Sequence, residues 1–299
     1  MQEVLSDVLR LIRLKSCVYF LRDFSAPWAM KMDQGPFAQF HVVMRGRCID
    51  HADGQQIEAA AGDILYFPHG NAHSIADKTG RDAVPGMRVL QDPKLFSEGP
   101  TTTQLLCGHY ESRSDIRHPL LEQLPDTVHL KSFEFPAASG IDNVLPLLVR
   151  ELNEGAPGAD VIIERLAEIL LIQVLRTILA QAKTPTGFLA AMSDNRLTRA
   201  MKLIHDQSAE KLTIDDLASA AGMSRSGFAL QFKKVTQISP IAYLAKWRMW
   251  QATDLLNTTG MGLARIAEQV GYESEISFSR AFKREYGIAP GEYRRQSTN

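Results

Sequence analysis

Residues 217–243 read LASAAGMSRSGFALQFKKVTQISPIAY, and residues 266–293 read IAEQVGYESEISFSRAFKREYGIAPGEY. Both stretches contain, in the same order, an apolar residue followed by Ala, a Gly, a Ser, a Phe-x-x-x-Phe pair and a Pro-x-x-Tyr ending. The offset between them is 49 residues up to the glycine and 50 residues after it, so the second copy has the longer turn. Such a repeat indicates two copies of one small unit.

Each repeated position has a physical reason in a helix-turn-helix. Gly222 and Gly271 stand where a first helix must stop and turn, which favours a residue free to adopt a positive φ. Ser224 and Ser274 can accept hydrogen bonds from the free N–H groups that open the second helix. The paired phenylalanines, four residues apart, form one buried stripe on that helix; they are Phe228 with Phe232 and Phe278 with Phe282. Two helix-turn-helix units are therefore predicted.

The opposite face of each predicted second helix carries polar and basic side chains, as a DNA-reading helix does. The candidate DNA-binding residues are Arg225, Ser226, Lys233, Lys234, Ser274, Glu275, Ser277, Ser279, Arg280, Lys283 and Arg284. We expect Arg225, Lys233 and Lys283 to meet phosphates, and Ser226, Ser277 and Arg280 to meet bases. The alternative is a pair of amphipathic hairpins with solvated charges, which the second copy in register disfavours.

Composition is consistent with a two-domain protein of the cytoplasm. The chain has 299 residues, no apolar run near the ~18 residues of a membrane span and an odd number of cysteines, three, which favours a reducing compartment. Residues 193–299 hold 15 basic and 11 acidic residues, a net charge of +4, whereas residues 1–192 have a net charge of −5. The basic end fits a module that meets phosphates.

The remaining pattern predicts an α+β protein. Short segments rich in β-formers between residues 17 and 111 (CVYF, QFHVVM, QQIEA, DILYFP, MRVLQ and TTTQLLCGHY) predict a β-sandwich or barrel, and helices are expected at 4–14, 143–153 and 160–183. The predicted domains are a sensor and dimerisation domain at 1–182, a linker at 183–192 and an all-helical DNA-binding domain at 193–299.

Two long helices carry further expectations. Helix 160–183 is apolar around most of its circumference, so it would bury one face on the barrel and a second face on another subunit, giving a homodimer; burial within its own domain is the alternative. A helix from about Pro240 to Thr259, with the proline in its first turn, would join the two helix-turn-helix units and hold them at a fixed separation.

Residues 193–299, including the ending Pro290-Gly291-Glu292-Tyr293, resemble the AraC/XylS family of bacterial transcription regulators. The resemblance implies a DNA-binding domain with two recognition helices. Arg280 matches the family's basic residue in the second of them. Leu230 departs from that pattern in the first, which would then read DNA through shape, through apolar contact with thymine methyl groups, or weakly.

The N-terminal half resembles the cupin barrel, because Gly62-x5-Pro68-x-Gly70-x-x-His73 follows the second cupin motif. The first motif is only partly kept. His41 matches its first ligand, but Val43 and Arg47 replace a histidine and a glutamate. A four-ligand cupin metal site, and the oxygenase chemistry that goes with it, is therefore not expected.

Three kinds of signal remain open for this half of the chain. Cys17, His41 and His73 would supply soft and imidazole ligands that suit zinc or copper, and we expect their side chains to converge. The histidines could instead line a pocket for a small-molecule effector. The resemblance also extends to regulators that sense reactive chlorine species through thiols, and Cys17 and Cys107 fall at those cysteine positions; otherwise Cys17, Cys48 and Cys107 are ordinary buried thiols.

The predicted function is a sequence-specific, double-stranded-DNA-binding transcription regulator, of the activator type that works with RNA polymerase, and not an enzyme or a membrane protein. The alternatives are a cupin enzyme with an accessory DNA-binding domain and a structural DNA binder without sequence preference.

Overall fold

The computed structural model describes residues 2–52, 54–111, 116, 118–135, 139–181 and 187–297. The chain is α+β, as predicted, and it divides into two compact units. The barrel unit comprises residues Leu14–Ser112 and Leu121–Lys183. The helical unit comprises Met1–Arg13, Arg113–Leu120 and Thr184–Asn299.

Among the described residues of the barrel unit, ten strands form two five-stranded sheets. They are β1 (Lys15–Ser25), β2 (Ala29–Met32), β3 (Ala38–Arg45), β4 (Arg47–Ala52), β5 (Gln55–Ala60), β6 (Ile64–Phe67), β7 (His73–Ala76), β8 (Val84–Pro85), β9 (Thr101–Glu111) and β10 (Val128–Leu130). The orders are β1-β9-β3-β6-β10 and β5-β4-β7-β2-β8. Pairing is antiparallel except between β2 and β8.

The two sheets enclose an apolar core to which both contribute, including Phe24, Val43 and Leu65 from one sheet and Met30 and Ile75 from the other. Successive side chains of a strand point to opposite faces, so a strand covered on both faces is buried throughout. All four residues of β6 are buried in this way, which explains why its sequence ILYF shows no alternation.

Two helices of the barrel unit, α4 (Ile141–Glu154) and α5 (Ala159–Gln181), follow the predicted spans closely. The hydroxyl of Ser16 donates to the carbonyl oxygen of Glu164, and that of Tyr110 donates to the carbonyl of Ala167. These bonds place α5 across the outer face of the sheet that contains β1 and β9.

One predicted strand is wrong. MRVLQ forms the short helix α2 (Gly86–Gln91), in which Val89 is the buried residue. Its apolar residues fit both the two-residue period of a strand and the 3.6-residue period of a helix. In the structure, one face of the helix packs onto the barrel, whereas Met87 is exposed.

The other helices are α1 (Gln2–Ile12), α3 (Pro119–Glu122), α6 (Gly187–Ser193), α7 (Asn195–Asp206), α8 (Ile214–Ala221), α9 (Arg225–Thr236), α10 (Pro240–Thr258), α11 (Leu263–Gln269), α12 (Glu275–Tyr286) and α13 (Pro290–Ser297); a 3₁₀ turn lies at Ser132–Glu134. Pro240 is in the first turn of α10, as expected. At 19 residues, this helix is about 28 Å long. None of the helices within the described ranges is long and apolar enough to cross a membrane.

The units differ from the predicted domains at two places. Helix α1 and the described residues 116 and 118–120 belong to the helical unit rather than to the barrel unit. Within the predicted linker 183–192, residues 183–186 lie outside the described residues, and the rest belongs to α6, whose Phe188 and Met192 are buried. The linker prediction relied on Pro185 and Gly187, and the glycine stands at the start of a helix.

Candidate functional site

The first helix-turn-helix unit comprises α8 and α9. A capping box opens α8, since the Thr213 hydroxyl accepts from the Asp216 N–H and the Asp216 carboxylate accepts from the Thr213 N–H. The turn passes through Gly222 at φ +65°. Ser224 caps α9 by accepting from the Gly227 N–H. These contacts confirm the predicted turn and cap.

The second unit comprises α11 and α12. Its glycine, Gly271, has φ +81°, and Ser274 caps α12 by accepting from the Ser277 N–H. At α11 the N-cap is Gly262, which has no side-chain cap. The extra turn residue falls between Gly271 and Ser274, so the inserted position lengthens the turn and leaves both helices in register.

All four phenylalanines of the repeat are fully buried, as predicted. Counted from the first residue of each helix, Phe228 and Phe278 are fourth, while Phe232 and Phe282 are eighth. Two residues turn an α-helix by about 200°, so the second and sixth positions lie on the opposite side. That side is exposed in both helices.

The candidate DNA-binding residues lie on or beside this exposed side; all are exposed except Ser279, which is half-buried. Two of the serines have a structural task as well. Ser274 is the N-cap, and the Ser277 hydroxyl donates to the Ser274 carbonyl oxygen at 2.8 Å. The guanidinium of Arg225 lies 3.3 Å from the carboxylate of Asp215. The Ser277 hydroxyl therefore already has a partner within its own turn.

A cavity of about 220 Å³ opens into the barrel. Its wall is mostly apolar, with polar groups at a few points; the lining residues include Phe20, Met30, Met32, Leu90, Lys31, Gln39, His41 and Cys107. His41 and His73 are almost fully buried. The predicted cupin histidine thus lies at the wall of an internal cavity, which sequence alone did not establish.

The two histidines and a thiol form one hydrogen-bonded chain. His41 Nδ1 is 3.0 Å from Cys107 Sγ, His41 Nε2 is 2.8 Å from His73 Nε2, and His73 Nδ1 is 2.7 Å from the Asn71 carbonyl oxygen. Because that carbonyl only accepts, one order of donation satisfies every contact. The Cys107 thiol donates to His41, His41 donates to His73, and His73 donates to Asn71.

This chain requires neutral imidazoles and a neutral thiol. Burial, and the neighbouring His73, lower the pKa of His41 well below its usual value. Burial lowers the pKa of His73 to about 4, although the Asn71 carbonyl opposes the change. Burial also raises the pKa of Cys107 well above its usual value. The wall of the cavity is therefore uncharged at neutral pH along this chain.

The predicted convergence of Cys17 with the two histidines is wrong. Cys17 pairs with His109 on β9, whereas His41, on the far side of β9, pairs with Cys107. Cys17 thus lies two strands across the sheet and two residues along it from His41, which corresponds to roughly 11–12 Å between their Cα atoms. Its side chain is exposed. A bulge near Tyr19 shifts the β1–β9 register, and the sulfur that reaches His41 belongs to Cys107.

The residues present do not fit a metal. Within the described ranges, no group of three or more His, Cys, Asp or Glu side chains is arranged to hold an ion. The chain of donation described above occupies the free nitrogens of both imidazoles. The positions of the lost cupin ligands are taken by Val43, which is fully buried, and by the exposed Arg47.

Burial raises the pKa of all three cysteine thiols. Burial, with the carboxylates of Glu111 and Glu164, raises the pKa of Cys17, and burial raises that of Cys48 to about 12. A reactive cysteine needs a lowered pKa. Redox sensing by Cys17 and Cys107 stays a prediction that these environments oppose.

A barrel of this topology followed by two linked helix-turn-helix units defines a class of protein: a DNA-binding transcription regulator with a cupin domain. Residues 3–180 match the cupin family, and residues 217–296 match a helix-turn-helix domain family. The chain belongs to the cupin-containing AraC-like transcription regulators.

Three relatives show how far this likeness extends. A Streptomyces lividans protein, provisionally named an AraC-like transcription regulator, is 31% identical over 98% of both chains. The HTH-type transcriptional regulator AlkR of Acinetobacter baylyi is 30% identical over 99% of this chain and 100% of its own. The RCS-specific HTH-type transcriptional activator RclR of Escherichia coli K12 is 26% identical over 94% of this chain and 91% of its own.

Proposed function

We propose that this regulator places α9 and α12 in successive major grooves on one face of the duplex, and that a small ligand in the barrel cavity controls it. The observation that carries the DNA-binding part is the matching exposed side of the two helices. Helix α10, which links the two helix-turn-helix units, is about 28 Å long. This length is comparable with the distance between adjacent entries into the major groove, which is about 34 Å.

Arg280 is the proposed base-reading residue of α12. It is exposed in the sixth position of the helix, and arginine forms bidentate contacts with guanine. Lys233 and Lys283 are exposed one turn further along and would meet phosphates.

Replacing Arg280 with alanine should weaken binding to the selected site by about 1–3 kcal/mol and weaken binding to random DNA far less. Electrophoretic mobility shifts of the full-length protein on both duplexes measure this. Lys211→Ala, which removes another exposed charge of the helical unit, is the matched control. Equal losses on both duplexes with Arg280→Ala would rule out base reading by that side chain.

The ligand class follows from the cavity wall. A largely apolar cavity of about 220 Å³, whose wall also includes Lys31, Asp33 and the neutral His41, suits a small, mostly apolar molecule that carries a hydrogen-bonding group. Mass spectrometry of molecules extracted from the purified protein would identify it. The variant Leu90→Phe, which narrows the cavity, should bind the ligand more weakly and keep DNA binding.

The proposed regulator works as a homodimer. Val161, Ile162 and Ile169 of α5 are 59%, 43% and 41% exposed, and Leu147 of α4 is 42% exposed. Ile162 and Ile169, seven residues apart, lie on one face of α5, and exposed apolar side chains on such a face support contact with a second copy of the chain. Sedimentation of the full-length protein should give a dimer, and the double variant Ile162→Glu with Ile169→Glu should give a monomer.

The protein is further proposed to be a cytoplasmic activator that contacts RNA polymerase and has no catalytic activity. The sequences of relatives, which are transcription regulators, and the absence of cupin ligands at Val43 and Arg47 support it. Transcription in vitro from the selected site, with purified RNA polymerase, distinguishes activation from repression.

A further inference from the structure

The exposed sides of both recognition helices carry a large aliphatic side chain. Leu230 of α9 is 74% exposed and Ile276 of α12 is 67% exposed. Among the large apolar side chains of the described residues, Phe133 is more exposed than either. Neither Leu230 nor Ile276 packs into the core of the fold, so neither is explained by the stability of its own unit.

The two residues occupy different positions on equivalent helices. Leu230 is the sixth residue of α9, and Ile276 is the second residue of α12. The second and sixth positions lie on one face because they are four residues apart. In α9 the second position is Ser226, and in α12 the sixth is Arg280. Each helix therefore presents one aliphatic and one polar side chain, in opposite order along the helix.

The chemistry of the major groove supplies an occupant for an aliphatic side chain on this face. Each base pair displays donors and acceptors there, and the apolar group at the groove edge is the C5-methyl of thymine. The exposed lysines Lys233 and Lys283, one turn beyond the sixth position, fit a phosphate backbone beside the same face.

We propose that Leu230 and Ile276 are specificity-determining residues, each of which packs against the C5-methyl group of a thymine. Ile276 contacts its thymine from the first turn of α12, and Leu230 does so from one turn further along α9. The two halves of the binding site therefore require thymine at non-equivalent places. This inference rests on the proposed insertion of both helices into the major groove.

Deoxyuridine tests the proposal because it lacks only the methyl group of thymidine. The full-length protein first selects its preferred duplex from a random library. Each thymine of that duplex is then replaced in turn by deoxyuridine, and binding is measured. At one thymine in each half of the site, the replacement should weaken binding by about fourfold, the factor expected for one buried methyl group.

Two variants assign the methyl groups to side chains. Leu230→Ala should abolish the effect of deoxyuridine in one half of the site and leave it intact in the other, and Ile276→Ala should do the reverse. Phe133→Ala, which removes an even more exposed apolar side chain from the barrel unit, should change neither. Both helix variants should unfold at the temperature of the parent protein, because the removed side chains are exposed.

The outcomes separate this inference from the function on which it rests. If the protein selects a duplex but deoxyuridine has no effect, or has the same effect in the variants as in the parent, the assignment to thymine methyl groups is overturned. The same holds if the alanine variants keep full DNA affinity and lose only contact with another protein. If the parent protein enriches no sequence at all, the proposed function itself fails.

Discussion

The two helix-turn-helix units share the same pattern of core residues, but the residues that contact each unit from outside differ. In the first, the hydroxyl of Tyr243 lies between His118 and His205, at 3.3 and 2.9 Å from their Nε2 atoms. In the second, the equivalent Tyr293 packs on the rings of Phe282 and Tyr286. A repeated sequence thus gives the same local fold twice, whereas neighbouring segments decide which polar contacts each copy makes.

The surroundings of the first unit come from distant parts of the chain. Asp7 of α1 accepts from His205 Nδ1 at 3.1 Å and lies 3.3 Å from the Lys202 ammonium. His118 Nδ1 accepts from the Leu120 N–H. Every contact is satisfied if His118 donates to Tyr243, Tyr243 donates to His205, and His205 donates to Asp7. This order requires both imidazoles to be neutral.

The largest predicted difference between the units concerns their turn glycines. A Cβ atom on Gly271 would lie 2.5 Å from the carbonyl oxygen of Ala209 and 2.8 Å from its Cα, whereas one on Gly222 would meet only the guanidinium of Arg199, at an ordinary contact distance of 3.5 Å. Gly271→Ala should lower the free energy of unfolding by at least about 3 kcal/mol, and Gly222→Ala by about 1 kcal/mol. Equal losses in urea unfolding would contradict this asymmetry.

An arginine at the sixth position of α9 would make the two helices alike there. Leu230→Arg should shift the preferred base in one half of the selected duplex from thymine to guanine, with about 1–3 kcal/mol of discrimination, because arginine pairs with guanine O6 and N7. Repeating the selection with the variant measures the shift. Leu230→Met, which keeps an apolar side chain, is the control, and a change in both halves would refute independent reading.

The buried histidines His118 and His205 predict that the protein loses stability at acid pH. Burial lowers the pKa of His118 and His205, the latter against the opposing effect of Asp7. Below pH 6.5 the unfolded chain binds more protons at these residues than the folded chain does, so the free energy of unfolding falls by at most about 1.4 kcal/mol for each histidine and pH unit.

Thermal unfolding at pH 7.5 and 5.5 checks this expectation. His118→Phe, which cannot bind a proton, should unfold with a smaller difference between the two pH values than the parent. The pKa of Asp7 is itself lowered: burial opposes this, and the bonds from His205 and Lys202 outweigh it. Its contribution is lost only below about pH 4, outside this interval. An unchanged pH difference in the variant would show that His118 does not set it.

The smallest predicted effects concern the first helix of each unit. Thr213→Ala removes a capping box and should cost about 1 kcal/mol, whereas Gly262→Ser adds a missing cap to α11 and should stabilise by a few tenths of a kcal/mol. Chemical denaturation of the two variants measures both. Destabilisation by Gly262→Ser would mean that the second unit needs a glycine there for another reason.

Local patterns were sufficient to predict much of this protein. The glycine, serine and phenylalanine positions of the repeat depend on contacts within about twelve residues, and each proved to have its expected role. Long periodic segments such as α5 and α10 were also predicted within a few residues. The short segment at 86–91 was not, because five apolar and polar residues satisfy a strand and a helix equally.

Local patterns could not predict the register between strands, or which distant segments of the chain pack together. The sequence indicated His41 and His73 as cupin positions, and their side chains meet, but Cys17 lies two strands and two residues from His41, and β9 brings Cys107 to His41 instead. No local signal marks that Asp7 and His118 meet the first helix-turn-helix unit. Exposure of Ile276 beside a buried phenylalanine was readable from the helical period, and could have been found.

The sequence by itself determined the family, the two helix-turn-helix units and the loss of the cupin ligands, because these depend on residue identity at fixed local spacing. The tertiary structure alone decided which sulfur reaches the histidines, where the cavity lies and what surrounds each copy of the repeat. Those features depend on register between strands and on packing of segments more than 100 residues apart, and the free energies of such contacts are not encoded in any one local pattern.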